Sequence, residues 1–130
     1  MASILIIDDD DAICEILRTA LEIHDHDVSS STTVDNLPDL LTPPPDVVLL
    51  DVCMPETNGL ECLPHIQRLA PGSKVVIITG VDDYHVADLF YELGVAGFLT
   101  KPIHLNQLNT TLDRILSSEA HTSSCPDVST

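Results

Sequence analysis

The sequence predicts an α/β fold, a doubly wound five-stranded parallel sheet with helices on both faces. The clearest indication is four short, largely apolar segments, each flanked by stretches with helical periodicity, at residues 4–7, 47–50, 75–78 and 97–100. Segments of this kind are typical of central strands that are buried on both faces of a parallel sheet. Strand and helix alternate five times along the chain, so right-handed crossovers are expected.

The first strand, at residues 4–7, leads into an amphipathic helix. Its apolar residues follow the i, i+3, i+4, i+7, i+8 spacing that places them on one face of a helix, namely Ile13, Ile16, Leu17, Ala20 and Leu21. Residues 27–32 are polar, which favours an edge strand. Residues 33–41 predict only a weak helix because they contain Pro38, and the proline run at residues 43–45 prevents its continuation.

A helix from about Asn58 follows the second central strand, and we expect its apolar side chains to point inward. These side chains are Leu60, Leu63, Ile66 and Leu69. Pro64 predicts a kink or irregularity near the start of this helix. Pro71-Gly72 ends it before the third central strand, and the next helix is expected to begin at Asp82 and end at Leu93-Gly94.

The last strand ends at Lys101 and is followed by a final amphipathic helix. Its apolar stripe consists of Leu105, Leu108, Leu112, Ile115 and Leu116. Beyond this stripe the chain is rich in Ser and Thr and has no periodicity. We therefore predict one domain over residues 1–117 and a flexible tail, or the start of a linker, over residues 118–130.

Composition excludes several classes of function. The 130 residues contain 5 Lys and Arg against 21 Asp and Glu, a formal net charge of −16, which argues against direct nucleic-acid binding. No apolar run approaches the ~20 residues of a membrane span, and the N-terminus does not resemble a signal peptide. A cytoplasmic protein is therefore predicted, in which the 4 cysteines are free thiols, most of them packed.

Each of the four central strands is followed or ended by a reactive polar residue. Asp8 and Asp9 follow the first strand, Asp51 the second, Thr79 the third and Lys101 the last. In parallel α/β sheets, ligands bind beyond the carboxyl ends of the strands, where these side chains are expected to converge. Three carboxylates, a hydroxyl and an ammonium group together suit a magnesium ion and a phosphoryl group.

The four adjacent acids at residues 8–11 have two interpretations. Asp is favoured at helix N-caps, where its charge also suits the helix dipole. One or two acids satisfy that role, whereas four adjacent acids repel one another. A divalent cation such as Mg²⁺ removes the repulsion, because it binds carboxylate oxygens. Metal binding is therefore favoured, with Asp10 or Asp11 left for the cap.

Asp51 and Lys101 also have structural and chemical interpretations. Asp51 either hydrogen-bonds to the amides of the following loop or acts as a nucleophile that carries an aspartyl-phosphate. A charged Lys101 at the end of a buried strand is costly unless it is paired, either with these carboxylates or with a phosphoryl oxygen. Thr79 alone is weak evidence, although the Gly80 that follows it leaves room for a ligand.

The motifs at these positions resemble those of the receiver domain of two-component response regulators, over about residues 3–117. The resemblance is carried by Ile-Ile-Asp-Asp-Asp, Leu-Leu-Asp-Val-Cys-Met-Pro-Glu-Thr-Asn-Gly-Leu-Glu, Ile-Ile-Thr-Gly and Phe-Leu-Thr-Lys-Pro. It implies a flavodoxin-like fold with strand order 2-1-3-4-5.

The resemblance also implies roles for individual residues. Asp51 would be the phosphoacceptor, with Thr79 and Lys101 contacting the phosphoryl oxygens. The Mg²⁺ ligands would be Asp8 (through water), Asp9, Asp51 and the backbone carbonyl of Cys53. The chain would then be mainly a signalling switch that catalyses its own phosphorylation and a slow dephosphorylation.

The resemblance implies a switch and partners as well. Thr79 and the aromatic residue Phe98 would form the switch, and the Lys101–Pro102 peptide would be cis. Phe98 lies three residues before Lys101, so strand alternation puts the two on opposite faces, and the Phe98 ring is expected to border the final helices. The phosphodonor would be a sensor histidine kinase or a histidine phosphotransfer protein. An output domain or partner protein would read the final two helices, and a phosphorylation-dependent homodimer is a further option. The chain is either a stand-alone receiver or part of a longer regulator.

Two other classes fit the sequence less well. Phosphatases of the haloacid-dehalogenase type also place Asp-x-Asp after a first strand, which would make Asp8 the nucleophile, but they give no reason for Asp51. An EF-hand starting at Asp8 is excluded, because Ile13 and Thr19 occupy its required Gly and Glu positions.

Overall fold

A computed structural model describes residues 2–52, 59–80 and 91–120 of the chain. In chain order the elements are β1 (Ser3–Ile7), α1 (Asp11–Glu22), β2 (Asp27–Ser31), α2 (Leu37–Leu40), β3 (Val47–Asp51), α3 (Gly59–Leu69), β4 (Lys74–Thr79), β5 (Gly97–Thr100) and α4 (Leu105–Ala120).

The five strands form one parallel sheet in the order β2-β1-β3-β4-β5. The predicted fold class and strand order are therefore confirmed, and the polar strand β2 lies at an edge as expected. Because β1 lies between β2 and β3, the connection from β1 to β2 and the connection from β2 to β3 pack on opposite faces of the sheet. This arrangement leaves a crevice at the carboxyl ends of β1 and β3, where ligands bind in such sheets.

The sheet separates two layers of apolar side chains. Ile4 and Ile6 of β1 face one layer, which also contains side chains of α1 and α4. Leu5 and Ile7 face the other layer, which contains side chains of α2 and α3. This alternation is the two-residue period of a strand, and it explains why the central strands are apolar throughout.

Gly97 allows α4 to pack closely on β5. A Cβ atom at this position would lie 3.1 Å from Cγ2 of Thr111 and 3.4 Å from Cδ1 of Ile115, both on α4. Such distances are tighter than ordinary van der Waals contact, so the absence of a side chain at Gly97 brings the final helix close to the sheet.

Three apolar residues that the periodicity assigned to buried helix faces are exposed instead. Ile16 is 54% exposed, Leu69 40% and Leu105 42%. In α1 the buried stripe consists of Cys14, Leu17 and Leu21, and Ile16 lies about 100° around the helix from Leu17. Leu69 and Leu105 are terminal residues of their helices, at the last position of α3 and the first of α4. The predicted burial of these three residues is therefore wrong.

Other boundaries differ modestly from those predicted. The helix α2 spans four residues, fewer than the nine from 33 to 41, and its N-cap residue Asn36 makes no capping hydrogen bond from its side chain. Pro64 lies inside α3. The predicted start of the helix at Asp82 lies outside the described residues, but residues 91–92 are helical and Gly94 has a φ of +92°, as expected for the helix end.

The C-terminal boundary is only partly covered by the structure. The final helix continues to Ala120, past the predicted domain boundary at residue 117. Residues 121–130, most of the predicted tail, lie outside the described residues. None of the helices in the described part of the chain has the length and apolar character needed to cross a membrane.

Candidate functional site

Side chains from four strands meet at the carboxyl edge of the sheet. Asp8 follows β1, Asp51 ends β3, Thr79 ends β4 and Lys101 follows β5. Among the described residues, the buried polar side chains are Asp8, Asp51 and Thr79, with exposures of 0%, 1% and 1%. All three lie at this one edge. Burying a polar group is costly unless it is paired, so their concentration here indicates a functional site.

Lys101 pairs with both buried carboxylates. Its Nζ atom lies 3.0 Å from Oδ2 of Asp51 and 3.4 Å from Oδ2 of Asp8. The backbone N–H of Lys101 donates to the carbonyl of Thr79 over 2.7 Å, which continues the pairing of β4 and β5 by one residue. The peptide between Lys101 and Pro102 is cis, the geometry that the resemblance implies.

Asp8 is held in a fixed orientation and its charge is poorly solvated. Its Oδ1 atom accepts a hydrogen bond from the backbone N–H of Asp10 over 2.9 Å. Its Oδ2 atom has no hydrogen-bond partner within the described residues. Burial, together with the nearby charge of Asp51, raises the pKa of Asp8 to about 6, although the Asp10 amide and Lys101 oppose this shift.

The pKa of Lys101 is also shifted by its two carboxylate neighbours. Burial alone would lower the pKa of Lys101, but the hydrogen bond to Asp51 and the charges of Asp8 and Asp51 raise it above its ordinary value. Lys101 is therefore a permanent cation in this site. A cation held this close to Asp51 also favours any further negative charge that appears there.

Asp10 and Cys14 support the site from α1. Oδ1 of Asp10 accepts from the backbone N–H groups of Ala12 and Ile13 over 3.0 and 3.4 Å, so Asp10 is the N-cap of α1, as the sequence allowed. The Sγ atom of Cys14 donates to the carbonyl of Asp8 over 3.3 Å. Burial and the adjacent acids raise the pKa of the Cys14 thiol to about 11, so it remains protonated.

The contact between Cys14 and Asp8 was not predicted from the sequence. Only the burial of Cys14 has a signal in the sequence, since Cys14 precedes Leu17 by three residues and Leu21 by seven, the spacing of one helix face. Cys14 and Cys62 are both free and buried, as predicted for packed thiols. Cys53 and Cys125 lie outside the described residues.

Three carboxylates are close enough to share a cation. One carboxylate oxygen from each of Asp8, Asp9 and Asp51 lies within 4.8 Å of the other two. Asp8 and Asp51 are buried, whereas Asp9 is exposed. These are oxygen donors, and Oδ2 of Asp8 lacks a hydrogen bond within the described residues, so the cluster fits a hard divalent cation. Cys53, whose carbonyl was expected to be a further ligand, lies outside the described residues.

Phe98 lies on the side of the sheet opposite the final helix α4. It is partly buried and packs against the layer that contains Leu50, Leu63 and Ile77. The next residue, Leu99, packs in the layer that contains α4. Because side chains alternate along β5, Phe98 faces away from α4, so the expected contact with the last helix is absent. Most of the preceding helix, which the ring was also expected to border, lies outside the described residues.

The residues around this site match a known family. The family model described as the response regulator receiver domain matches residues 4–113. A homologue of the transcriptional regulatory protein CpxR from Haemophilus influenzae is 32% identical over 120 residues, 92% of this chain and 52% of that protein. The transcriptional regulator NtrC of Azospirillum brasilense is 29% identical over 126 residues, 96% of this chain and 26% of that protein. The chain thus spans about a quarter to a half of these relatives.

Solved structures agree with this family. A response regulator receiver domain from Clostridium thermocellum is 27% identical, with a TM-score of 0.83 over 94% of this chain and 99% of that one. A BeF₃-activated DrrB receiver domain is also 27% identical, with a TM-score of 0.77 over 90% of this chain and 98% of that one. The sheet order, the carboxylates and lysine at its edge, and these matches show that the chain belongs to the response regulator receiver domain family, the phosphoacceptor modules of two-component signalling.

Proposed function

We propose that Asp51 is the phosphoacceptor and that it receives its phosphoryl group from a phosphohistidine of a sensor histidine kinase or a histidine phosphotransfer protein. The observation that carries the proposal is the carboxylate of Asp51, buried at the end of a central strand with Nζ of Lys101 at 3.0 Å. An Asp51 oxygen attacks phosphorus, the P–N bond breaks, and the histidine leaves with its electron pair.

The neighbouring residues position and stabilise the transferred group. Lys101 and Thr79 contact its oxygens, while Asp9, Asp51, the Cys53 carbonyl and, through water, Asp8 would hold Mg²⁺. When bound, Mg²⁺ neutralises negative charge on the transferring group. Catalysis by this chain then consists mainly of positioning and charge neutralisation, and slow hydrolysis of the aspartyl-phosphate resets the switch.

The haloacid-dehalogenase alternative has no support from the family match, which assigns the chain to the receiver domains. The distinguishing experiment is to map the phosphate after incubation with Mg²⁺ and a small phosphodonor, by trapping the acyl phosphate with hydroxylamine and sequencing peptides by mass spectrometry. Modification at Asp51 is the expected result. Modification at Asp8 would overturn the assignment and restore the phosphatase.

Magnesium binding should depend on Asp9. Asp9 is exposed, so Asp9→Ala should leave the fold intact, yet it removes one of the three clustered carboxylates. We expect Mg²⁺ affinity to fall by about tenfold or more and phosphorylation to slow with it. Isothermal titration calorimetry measures the affinity, and Asp39→Ala, an exposed acid in α2, is the matched control.

Magnesium affinity should also fall as the pH is lowered through about 6, because Asp8 takes up a proton in that range and would hold Mg²⁺, through water, only as the carboxylate. Between pH 8 and pH 5 the wild-type affinity should therefore decrease steeply. Titrations across this range that give a constant affinity would show that Asp8 is not a ligand.

Phosphorylation is proposed to change the surface through Thr79 and Phe98. The phosphorylated site gains negative charge, Thr79 moves toward the phosphoryl group, and the Phe98 ring turns inward behind it. The resulting surface change is read by an output domain or partner protein at the last two helices and β5. Because a phenylalanine ring carries no hydroxyl group, the inward and outward positions of the Phe98 ring differ mainly in apolar burial, by about 1–2 kcal/mol.

This switch can be followed directly by NMR. Adding beryllofluoride and Mg²⁺ should shift the aromatic signals of Phe98, and Thr79→Ala should reduce that shift, because the hydroxyl that is drawn inward is missing. The sequence contains only two phenylalanines, so Phe98→Leu identifies the signals. Unchanged Phe98 signals in the wild type would mean that the signal leaves the site by another route.

A further inference from the structure

Two side chains hold the backbone at the amino end of β1. The N–H of Ala2 donates to Nδ1 of His26 over 3.2 Å, and the N–H of Ser3 donates to Oδ2 of Asp46 over 2.9 Å. His26 directly precedes β2 and Asp46 directly precedes β3, the two strands that flank β1 in the sheet. The start of β1 is therefore fastened by a side chain on each side.

The bond to His26 matters because Ala2 is buried. Ala2 is 5% exposed and packs with Val28 in the apolar layer that contains α1 and α4. A buried backbone N–H that loses its acceptor is costly. The ring of His26 is half-buried, and its own backbone N–H donates to the carbonyl of Leu21 over 3.3 Å. His26 thus connects the end of α1 with the start of β1.

The bond between Ala2 and His26 exists only while the ring is neutral. Nδ1 accepts a hydrogen bond when the proton of the ring is on Nε2. Protonation adds a second N–H at Nδ1, which then faces the N–H of Ala2, so that two donors meet and the bond is lost. Histidine is the side chain that ordinarily changes its charge between pH 5 and pH 8, so this loss falls in an accessible range.

Charged groups from several parts of the chain act on the His26 ring. Burial is the largest influence and lowers the pKa of His26 below its ordinary value of 6.5, and the positive charges of the N-terminal amine and of His24 act in the same direction. Asp113 on α4 and Asp25 in the turn before β2 oppose this shift. The stabilisation by the neutral ring is therefore fully present above pH 6.5 and is lost as the pH falls through the lower, folded-state pKa.

From this geometry we propose that His26 is a pH-dependent clasp at the amino end of β1. The neutral ring holds the Ala2 amide, whereas the protonated ring releases the amide and pairs with Asp113 on α4. Acidification then loosens the start of β1 and links the turn before β2 to the final helix. The clasp lies at the opposite end of β1 from Asp8, and it does not depend on the proposed function of Asp51.

An NMR titration of the full chain from pH 8 to pH 4 tests the clasp. The ring nitrogens of His26 and the amide of Ala2 should titrate with one shared midpoint, below 6.5. Protection of the Ala2 amide against hydrogen exchange should fall by about fivefold across this midpoint, as expected for the loss of one ordinary hydrogen bond. An Ala2 amide that does not respond while the His26 ring titrates would overturn the proposal.

Two substitutions of His26 separate the hydrogen bond from the titration. Asn places an oxygen acceptor near the position of Nδ1 but does not titrate, so in His26→Asn the Ala2 amide should keep its bond over the whole pH range. His26→Leu has no acceptor, and its Ala2 amide should resemble that of the acidified wild type at every pH. His24→Asn is the matched control and should retain the titration of Ala2. A pH-dependent Ala2 amide in His26→Asn would overturn the assignment to His26.

The pairing with Asp113 and the effect on stability have separate tests. Asp113→Asn should lower the midpoint of His26, because it removes an acid that favours the protonated ring. An unchanged midpoint would overturn the pairing with Asp113. In urea unfolding, the stability of the wild type relative to His26→Asn should decrease from pH 8 to pH 4, and this comparison cancels the contribution of Asp8, which both proteins share. A constant difference would show that protonation of His26 does not loosen the fold.

Discussion

Asp51→Asn should abolish phosphorylation while leaving the fold intact. The amide is nearly isosteric with the carboxylate, but it lacks the anionic oxygen that attacks phosphorus, so we expect the rate to fall by at least about 100-fold. The fold should tolerate the change because Lys101 retains its contact with Asp8 at 3.4 Å. Incorporation of phosphate from a small phosphodonor, measured by intact-protein mass spectrometry, gives the rate, and circular dichroism verifies the fold.

Asp10→Asn is the matched control for this experiment. Asn serves as well as Asp at a helix N-cap, so the cap on Ala12 and Ile13 should persist. The change also removes one negative charge next to the site, as Asp51→Asn does. Phosphorylation of Asp10→Asn should therefore proceed at nearly the wild-type rate. Full labelling of Asp51→Asn would refute the acceptor assignment.

Lys101→Met should destabilise the metal-free protein by about 3 kcal/mol at pH 8. The substitution removes the cation that lies within 3.0 and 3.4 Å of two buried carboxylates, which then repel each other. Asp8 has a folded-state pKa of about 6, above its ordinary value of 3.8. The stabilisation that results from this raised pKa is therefore fully present below pH 3.8 and is lost as the pH rises through about 6.

The loss of stability in Lys101→Met should consequently be smaller at pH 5 than at pH 8, because Asp8 is largely protonated at pH 5. Mg²⁺ should restore part of the stability at pH 8, by supplying the missing positive charge. Urea unfolding at both pH values, with and without Mg²⁺, measures these differences. Lys74→Met, at the exposed start of β4, is the control and should change stability far less. An equal loss in both variants would show that Lys101 does not neutralise the site.

The architecture and the positions of the site residues were predictable because both depend on short-range patterns. Each apolar strand ends at or just before a polar or charged residue, and parallel strands bring those ends to one edge of the sheet. Asp8, Asp51, Thr79 and Lys101 accordingly occupy the edge that the sequence predicted. The N-cap at Asp10 was similarly local, since the capping contacts reach only two and three residues along the chain.

The errors concern features that depend on the neighbouring elements. Hydrophobic periodicity assigned Ile16 and Leu105 to buried faces, but burial depends on how much of each helix the sheet covers. For Phe98, strand alternation does not indicate which of the two apolar layers its side chain faces, and the final helix packs in the other layer. The contact between Cys14 and Asp8 needed the angle at which α1 leaves β1, which no local pattern encodes.

The assembly of the site from residues 8, 51, 79 and 101 has a consequence for protein synthesis. A ribosome-bound chain that ends before β5 has the proposed acceptor Asp51 but lacks Lys101, which lies 50 residues further along. The contacts that pair β1 with β3 and β4 with β5 are all long-range, and such contacts form late in folding. Competence to accept a signal would therefore arise in one step, at the completion of the sheet, and incomplete or misfolded copies would not compete for the phosphodonor.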